Sequence, residues 1–274
     1  MVSDLDRYLF DLQGYLVLRG AVARDHVARM NGVIDALPPM EPGDWFGYVH
    51  REKFEASRGI AYQQVYEAGE PFEELVDHPS WIEKVKTFVG GARTHDYNNG
   101  ELFIDENFVS IRGPGGAIGL HSGGNHPVKR TQYRYHAGDF MCGQINILLA
   151  LTDIGPGDGA TMVIPASHKA NLEHPQFATQ RIGEGASVDG VEGAIEVHLA
   201  AGDAILFVDA LSHGSARRVN SGDRRIVVYR YGPAWGTFRF GYWPSSELLE
   251  RLTPARRAIV MPNEIWKREP QVKV

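Results

Sequence analysis

The chain has 274 residues, 43% of them hydrophobic and 23% charged, which is typical of a globular protein with a sizeable core. The formal net charge of −6 argues against general binding to nucleic acid polymers, because such binding needs a basic surface. The single cysteine, Cys142, excludes an internal disulfide.

The same composition predicts where the protein works. A lone cysteine favours a reducing compartment. The sequence has no signal-peptide core and no run of about 18 apolar residues, the length that a membrane span needs. We therefore expect a cytoplasmic protein without membrane contacts.

The first part of the chain is predicted to be mainly helical. A helical start precedes a short apolar strand over 14–18, and helical spacing of apolar residues follows over 24–37. The stretch 38–70 is aromatic, charged and irregular, which predicts a lid or an active-site wall. Helical spacing resumes over 71–90.

From about residue 101 the pattern changes to short β-rich runs separated by glycine, proline and aspartate. The runs are 103–112, 144–152, 160–165, 194–199, 203–209 and 225–232. Such a series predicts a mainly β fold of the jelly-roll type. We expect a single domain over 1–274, with a helical flank to about residue 100, a β core over about 101–235 and a C-terminal extension over 236–274 that contains a helix or turn near 253–257.

Two distant histidines have the pattern of a metal site. A non-haem Fe(II) site uses two imidazoles and one carboxylate on one face of the metal and leaves the opposite positions open. His121 and His213 supply the imidazoles, but Gly123 stands where a His-x-Asp pattern would place the carboxylate. Asp209 lies four residues from His213, roughly 13 Å along an extended strand, and Asp139 lies in an apparent turn. The sequence thus predicts a metal site that lacks its carboxylate.

The order of these segments resembles the phytanoyl-CoA dioxygenase-like (PhyH) family of Fe(II)/2-oxoglutarate oxygenases over roughly residues 8–260. The segments that carry the resemblance are 13–20, 120–121, 151–153, 159–169, 202–204, 213–215 and 223–228. The resemblance implies a double-stranded β-helix, a cupin-like jelly roll, with flanking N-terminal helices. It also implies Fe(II), 2-oxoglutarate and O2 as the cofactor and cosubstrates, with His121 and His213 as metal ligands.

The resemblance also implies which residues hold 2-oxoglutarate. Its distal carboxylate pairs with an arginine that follows the second histidine, and Arg224 has that position. Arg225 follows directly, but neighbours on a strand face opposite sides, so the two are alternatives and we favour Arg224. Ser215 is expected to donate a hydrogen bond to the same carboxylate, and Asn146 to contact the other end of the cosubstrate.

Gly123 makes the chain similar to the halogenases of this superfamily, in which chloride or bromide takes the place of the carboxylate on iron. This similarity predicts a halogenase that acts on an unactivated C–H bond, with Gly123 providing the space for the halide. Two alternatives stay open: a hydroxylase or dioxygenase with an atypical iron site, and a non-catalytic protein that binds 2-oxoglutarate or another ligand.

The sequence says little about the substrate beyond a small molecule, and nothing about oligomeric state. Lys129, Arg130 and Arg134 follow the iron-site turn closely. They form either a solvated face or a cluster that binds a phosphate or carboxylate of an anionic substrate.

Overall fold

The computed structural model describes residues 2–53, 59–91, 100–183, 185–236 and 243–261. The chain opens with α1 (Asp4–Gln13), β1 (Tyr15–Leu18) and α2 (Arg24–Ala36), as the sequence predicts. Ser3 and Asp6 form a capping box at the start of α1. Gly14 ends this helix with φ +85°, a left-handed conformation that glycine adopts readily.

The stretch 38–70 is more regular than its composition predicts. It contains β2 (Trp45–Phe46), β3 (Val49–Arg51) and β4 (Ile60–Gln63), which extend the large sheet at one edge. The helical segment expected over 71–90 is divided into α3 (Glu70–Glu73) and α4 (Ile82–Val89). Pro79 lies between them, and proline both lacks a backbone donor and disfavours helix at the preceding residue.

The β-rich part of the chain follows the predicted runs closely. Its strands are β5 (Leu102–Arg112), β6 (Tyr135–His136), β7 (Asp139–Phe140), β8 (Ile145–Ala150), β9 (Thr161–Val163), β10 (Ile195–Val197), β11 (Ala204–Val208), β12 (His213–Ser215) and β13 (Arg224–Pro233). The remaining helices are α5 (Phe177–Gln180), α6 (Ser246–Arg251) and α7 (Pro254–Val260). The last of these includes the predicted turn near 253–257, whereas the sequence predicted none of β6, β7, β12, α5 and α6 as elements.

The strands form one eight-stranded sheet in the order β1-β11-β8-β13-β5-β4-β3-β2 and one three-stranded sheet in the order β10-β9-β12, while β6 and β7 pair as a two-stranded sheet. All strand pairs in the two larger sheets are antiparallel. This architecture confirms the predicted mainly β fold with N-terminal helices. None of the helices in the described ranges has the length and apolar composition needed to cross a bilayer.

The main hydrophobic core packs the N-terminal helices against the large sheet. Phe10 of α1 stacks on Phe88 of α4, with ring centroids 3.7 Å apart. Trp81 is fully buried and donates a hydrogen bond to the hydroxyl of Tyr231 on β13. The helices therefore cover the outer face of the sheet and leave the opposite face to line a cavity.

Candidate active site

A cavity lies between the two sheets and contains both predicted metal ligands. Its walls come from β5, β8, β11 and β13 of the large sheet and from β9 and β12 of the small one. The residues that line it include Phe108, Arg112, His121, Leu148, Thr161, Phe207, His213, Ser215, Arg224 and Arg230.

His121 and His213 lie side by side, with ring centroids 4.1 Å apart. Their backbones pair through reciprocal hydrogen bonds, from His121 N to His213 O at 2.9 Å and from His213 N to His121 O at 3.0 Å. This bridge fixes the two side chains next to each other although they are far apart in sequence.

Each imidazole is also oriented for metal binding. The Nδ1 atom of His121 lies 2.9 Å from the carbonyl oxygen of Gly119, and that of His213 lies 2.7 Å from the carbonyl oxygen of Leu211. A carbonyl accepts only, so each Nδ1 carries the proton and each Nε2 keeps a lone pair. Burial, and then the charge of His213, hold the pKa of His121 well below its ordinary value, which favours the neutral form that binds metals.

No carboxylate among the described residues completes a facial triad with the two histidines. Within the described ranges, no set of three or more histidine, cysteine, aspartate or glutamate side chains is arranged to hold a metal ion. Asp209 is buried, but its carboxylate is bound by Arg130 at 2.6 Å and by the Asn146 amide at 3.0 Å. The residues present therefore offer two imidazoles to a metal, and the remaining positions fall to cosubstrate, water or another exogenous ligand.

Gly123 lies in a tight turn rather than on the cavity wall. Its φ of +139° is rarely adopted by residues with a side chain. A Cβ atom added here would come within 2.7 Å of Asn125 Oδ1 and 3.2 Å of Ser212 Oγ. Glycine at this position is thus demanded by the local backbone as well as compatible with an open coordination position.

A second feature of the cavity is Arg224, which forms no ion pair with a carboxylate of the described residues. Arg224 is only 1% exposed, and its Nη2 contacts the hydroxyl of Thr161 at 3.3 Å. Its Nε and Nη1 have no hydrogen-bond partner among the described residues. Burial, followed by the charges of Arg112 and Arg218, lowers the pKa of Arg224 well below its ordinary value. A buried cation in this state is strongly stabilised by an anionic ligand.

The neighbouring arginine points elsewhere, as strand alternation requires. Arg225 forms an ion pair with Asp35 at 2.7 Å and contacts Asn31 at 3.3 Å, both on α2. Of the two alternatives from the sequence, the structure brings only Arg224 into the cavity.

Arg112 and Ser215 accompany Arg224, and sequence analysis missed the first of them. Arg112 is the cross-strand partner of Arg224 and donates a hydrogen bond to Ser215 Oγ at 2.7 Å. Ser215 Oγ also accepts from the backbone N–H of Ile118 at 2.9 Å. A hydroxyl that accepts twice has its own proton left to donate, so Ser215 is a donor at this end of the cavity. The available signal for Arg112 was its position at the end of a predicted strand, where a charged side chain that is buried needs a partner.

The other predicted residues lie away from the arginine end. Asn146 is buried and donates to Asp209, so its orientation is set by that carboxylate. Arg130 forms the ion pair with Asp209, whereas Lys129 and Arg134 are exposed. None of these four residues belongs to the lining of the cavity.

Comparison with known proteins agrees with this geometry. The family model described as phytanoyl-CoA dioxygenase (PhyH) matches residues 10–226. A relative named dioxygenase cdmD, from Talaromyces verruculosus, is 23% identical over 265 residues, which cover 90% of this chain and 80% of that protein.

Similar solved structures have the same fold. HygX from Streptomyces hygroscopicus with nickel and 2-oxoglutarate bound is 24% identical, with a TM-score of 0.69, and the match covers 90% of this chain and 94% of that one. The non-haem α-ketoglutarate-dependent epimerase SnoN from nogalamycin biosynthesis is 13% identical, with a TM-score of 0.55, over 88% of this chain and 94% of that one. Given the family match and the paired histidines, the chain belongs to the phytanoyl-CoA dioxygenase (PhyH) family and is an enzyme of the Fe(II)/2-oxoglutarate oxygenase superfamily.

Proposed function

We propose that the protein oxidises a C–H bond of a small molecule, with Fe(II) held by His121 and His213 and with 2-oxoglutarate bound by Arg224. The observation that carries the proposal is the buried Arg224, which has no carboxylate partner among the described residues and lines the same cavity as the two histidines. A cation in this position suits the distal carboxylate of a dicarboxylic cosubstrate.

The roles of the protein groups follow from their contacts. The backbone bridge between His121 and His213 holds their Nε2 atoms ready for the metal, and the Nδ1 contacts keep both rings neutral and fixed. Arg224 and the proton of Ser215 bind the distal carboxylate, while Arg112 holds the Ser215 hydroxyl in place. When bound, iron and 2-oxoglutarate would together activate O2, the oxidant of the reaction, which no side chain of this site can do.

Oxygenation is the outcome that we favour for the substrate. Gly123 does not line the cavity, and the space next to it is occupied by the side chains of Asn125 and Ser212. These contacts do not describe a pocket built for a halide. Water is then a sufficient ligand for a position that has lost its carboxylate.

Halogenation, predicted from the sequence, is the second candidate. One observation favours it: the described residues supply no carboxylate to the two histidines. A halide would neutralise the same charge on the metal as the missing side chain. The third alternative was a non-catalytic protein that binds a ligand. Membership of the PhyH family favours an enzyme, whether oxygenase or halogenase, over this alternative.

Anaerobic titration of the protein with Fe(II) and 2-oxoglutarate, with and without chloride, tests both points. An absorption band from the metal to the bound cosubstrate is expected in the wild type and is lost in His213→Ala. A band that chloride leaves unchanged supports oxygenation, whereas a shift of the band and tighter 2-oxoglutarate binding in chloride support halogenation. Absence of any band in the wild type contradicts the proposed function.

The product decides between the two chemistries once a substrate is found. Addition of one oxygen atom in chloride-rich buffer is expected, and its detection by mass spectrometry excludes halogenation as the main reaction. Addition of a halogen atom would reverse this conclusion.

HygX is also known with nickel, 2-oxoglutarate and hygromycin B bound, at 23% identity, and on this basis we expect a small-molecule substrate here too.

A further inference from the structure

The face of the large sheet that lines the cavity is divided into zones along its strands. On β13 and β5 the cross-strand pairs run from Arg224–Arg112 through Ile226–Ser110 and Val228–Phe108 to Arg230–Glu106. Alternate residues share a face, so these pairs all lie on the cavity side. The zones are therefore a cationic end, a mainly apolar middle and a second polar end.

The second polar end extends across neighbouring strands. Asn146 on β8 is the register partner of Arg230, and Gln63 on β4 is the register partner of Phe108. We call Gln63, Glu106, Arg230 and Asn146 the polar row. Arg230 follows Arg224 by six positions on β13, roughly 20 Å along the strand. The polar row is therefore a set of residues separate from the cationic end at Arg224.

The charges of the polar row are compensated within the protein. Arg230 forms an ion pair with Glu106, which also accepts a hydrogen bond from Gln63 Nε2 at 2.9 Å. Asp209, next to the row, binds Arg130 at 2.6 Å and accepts from Asn146 Nδ2 at 3.0 Å. Each arginine has a carboxylate, so this end of the cavity offers no net charge to a ligand.

Three polar atoms of the row nevertheless lack a hydrogen-bond partner among the described residues: Gln63 Oε1, Asn146 Oδ1 and Arg230 Nε. Gln63 is 0% and Asn146 1% exposed. A carboxylate only accepts hydrogen bonds, so the side-chain amide nitrogens of Gln63 and Asn146 must face Glu106 and Asp209. The amide oxygens of both residues therefore point away from these carboxylates and have no donor in the described part of the chain. Of the row, Arg230 lines the cavity, while Gln63 and Asn146 share a sheet face with their register partners Phe108 and Phe207, which also line it. Buried polar atoms left unpaired cost free energy, so their presence beside these lining residues points to a ligand that satisfies them.

From this arrangement we infer that the polar row binds a neutral substrate rich in hydroxyl groups, such as a sugar or a cyclitol. A hydroxyl donates to the amide oxygens of Gln63 and Asn146 and accepts from Arg230 Nε–H, whereas a carboxylate or phosphate would face two amide oxygens and no free cation. The inference rests on the proposed function, because it places this substrate opposite the cosubstrate. A neutral substrate takes the place of the anionic substrate that the sequence suggested from Lys129, Arg130 and Arg134. Of these three residues, Arg130 already pairs with Asp209. It also assigns Asn146 to the substrate rather than to 2-oxoglutarate.

Saturation-transfer NMR on the protein loaded with Ni(II) and 2-oxoglutarate tests this inference without turnover. Three probe sets are compared: neutral polyols (methyl glucoside, sucrose, myo-inositol), anionic analogues (glucose 6-phosphate, gluconate) and an apolar acid (octanoate). Transfer to at least one neutral polyol is expected, with weaker or no transfer to the others. Preference for an anionic or apolar probe, or no transfer to any polyol, overturns the inference.

Variants locate the binding. Gln63→Met and Asn146→Leu each remove an amide oxygen, together with the amide nitrogen that donates to Glu106 or Asp209, and keep a similar volume. Either should weaken the best polyol about fivefold to tenfold, the effect of one lost hydrogen bond. Gln132→Met, at an exposed position, is the matched control. The inference is overturned if Gln63→Met and Asn146→Leu both keep the polyol affinity of the wild type while they also retain its 2-oxoglutarate affinity and melting temperature. Failure of the wild type to bind 2-oxoglutarate instead refutes the proposed function, and polyol binding without cosubstrate then decides the inference separately.

Discussion

Replacement of Arg224 by methionine separates the binding role of this residue from a role in stability. Arg224 is buried, and burial together with two neighbouring arginines lowers its pKa well below the ordinary value. Its cationic side chain therefore destabilises the ligand-free fold, since buried charges without a paired carboxylate are costly. Methionine has a similar length and no charge, so Arg224→Met should melt at the same temperature as the wild type or higher.

The same substitution should strongly weaken 2-oxoglutarate. A charge-assisted hydrogen bond to a buried group contributes about 1.5–3 kcal/mol, which corresponds to a loss of about tenfold to a hundredfold in affinity. The assay is thermal unfolding of the Ni(II)-loaded protein over a range of 2-oxoglutarate concentrations. Ligand at about a hundred times its Kd stabilises the wild type by about 2.7 kcal/mol. At the same ligand concentration, a tenfold loss of affinity removes about half of this stabilisation and a hundredfold loss removes most of it.

Arg225→Met is the matched control, because Arg225 points away from the cavity and pairs with Asp35. It should keep the full response to 2-oxoglutarate and lose a small amount of stability. A variant pair with the opposite behaviour, in which Arg225→Met loses the cosubstrate and Arg224→Met keeps it, would refute the assignment. So would an Arg224→Met protein that is strongly destabilised without ligand, because the arginine would then have an internal partner.

Three further predictions concern the histidines and the glycine turn. His121→Ala and His213→Ala should each abolish stoichiometric Fe(II) binding measured by metal analysis; retention of one metal per chain in both would disprove the site. Gly123→Asp should lose about 1–3 kcal/mol of stability in denaturant titration, because φ is +139° and the new Cβ would lie 2.7 Å from Asn125 Oδ1; an unaffected midpoint would show that the turn relaxes freely. Burial lowers the pKa of His168 from 6.5 to about 4, so the unfolded chain takes up this proton first and stability falls as pH drops through that window. The variant His168→Gln should show a smaller fall over the same pH range, and an identical pH dependence would contradict the assignment.

The family, the fold class and the two histidines of the candidate metal site can be read from the amino-acid sequence alone. Short β runs separated by turn residues predicted the mainly β architecture, and the spacing of His121 and His213 predicted paired imidazoles. Strand alternation also favoured Arg224 over Arg225, because the side-chain period of a strand is a local property. These features depend on residue type and near neighbours, which a single sequence contains.

Tertiary structure alone decided which distant side chains meet. The strands of the irregular stretch 38–70 form because β4 pairs with β5, a partner far along the chain. Arg112 joins Arg224 through cross-strand register, and the Asn146 amide donates to the carboxylate of Asp209, which lies 63 residues further along the chain. Register and burial arise from contacts that close long loops of chain, so the sequence pattern supplies the candidate residues but not their pairing.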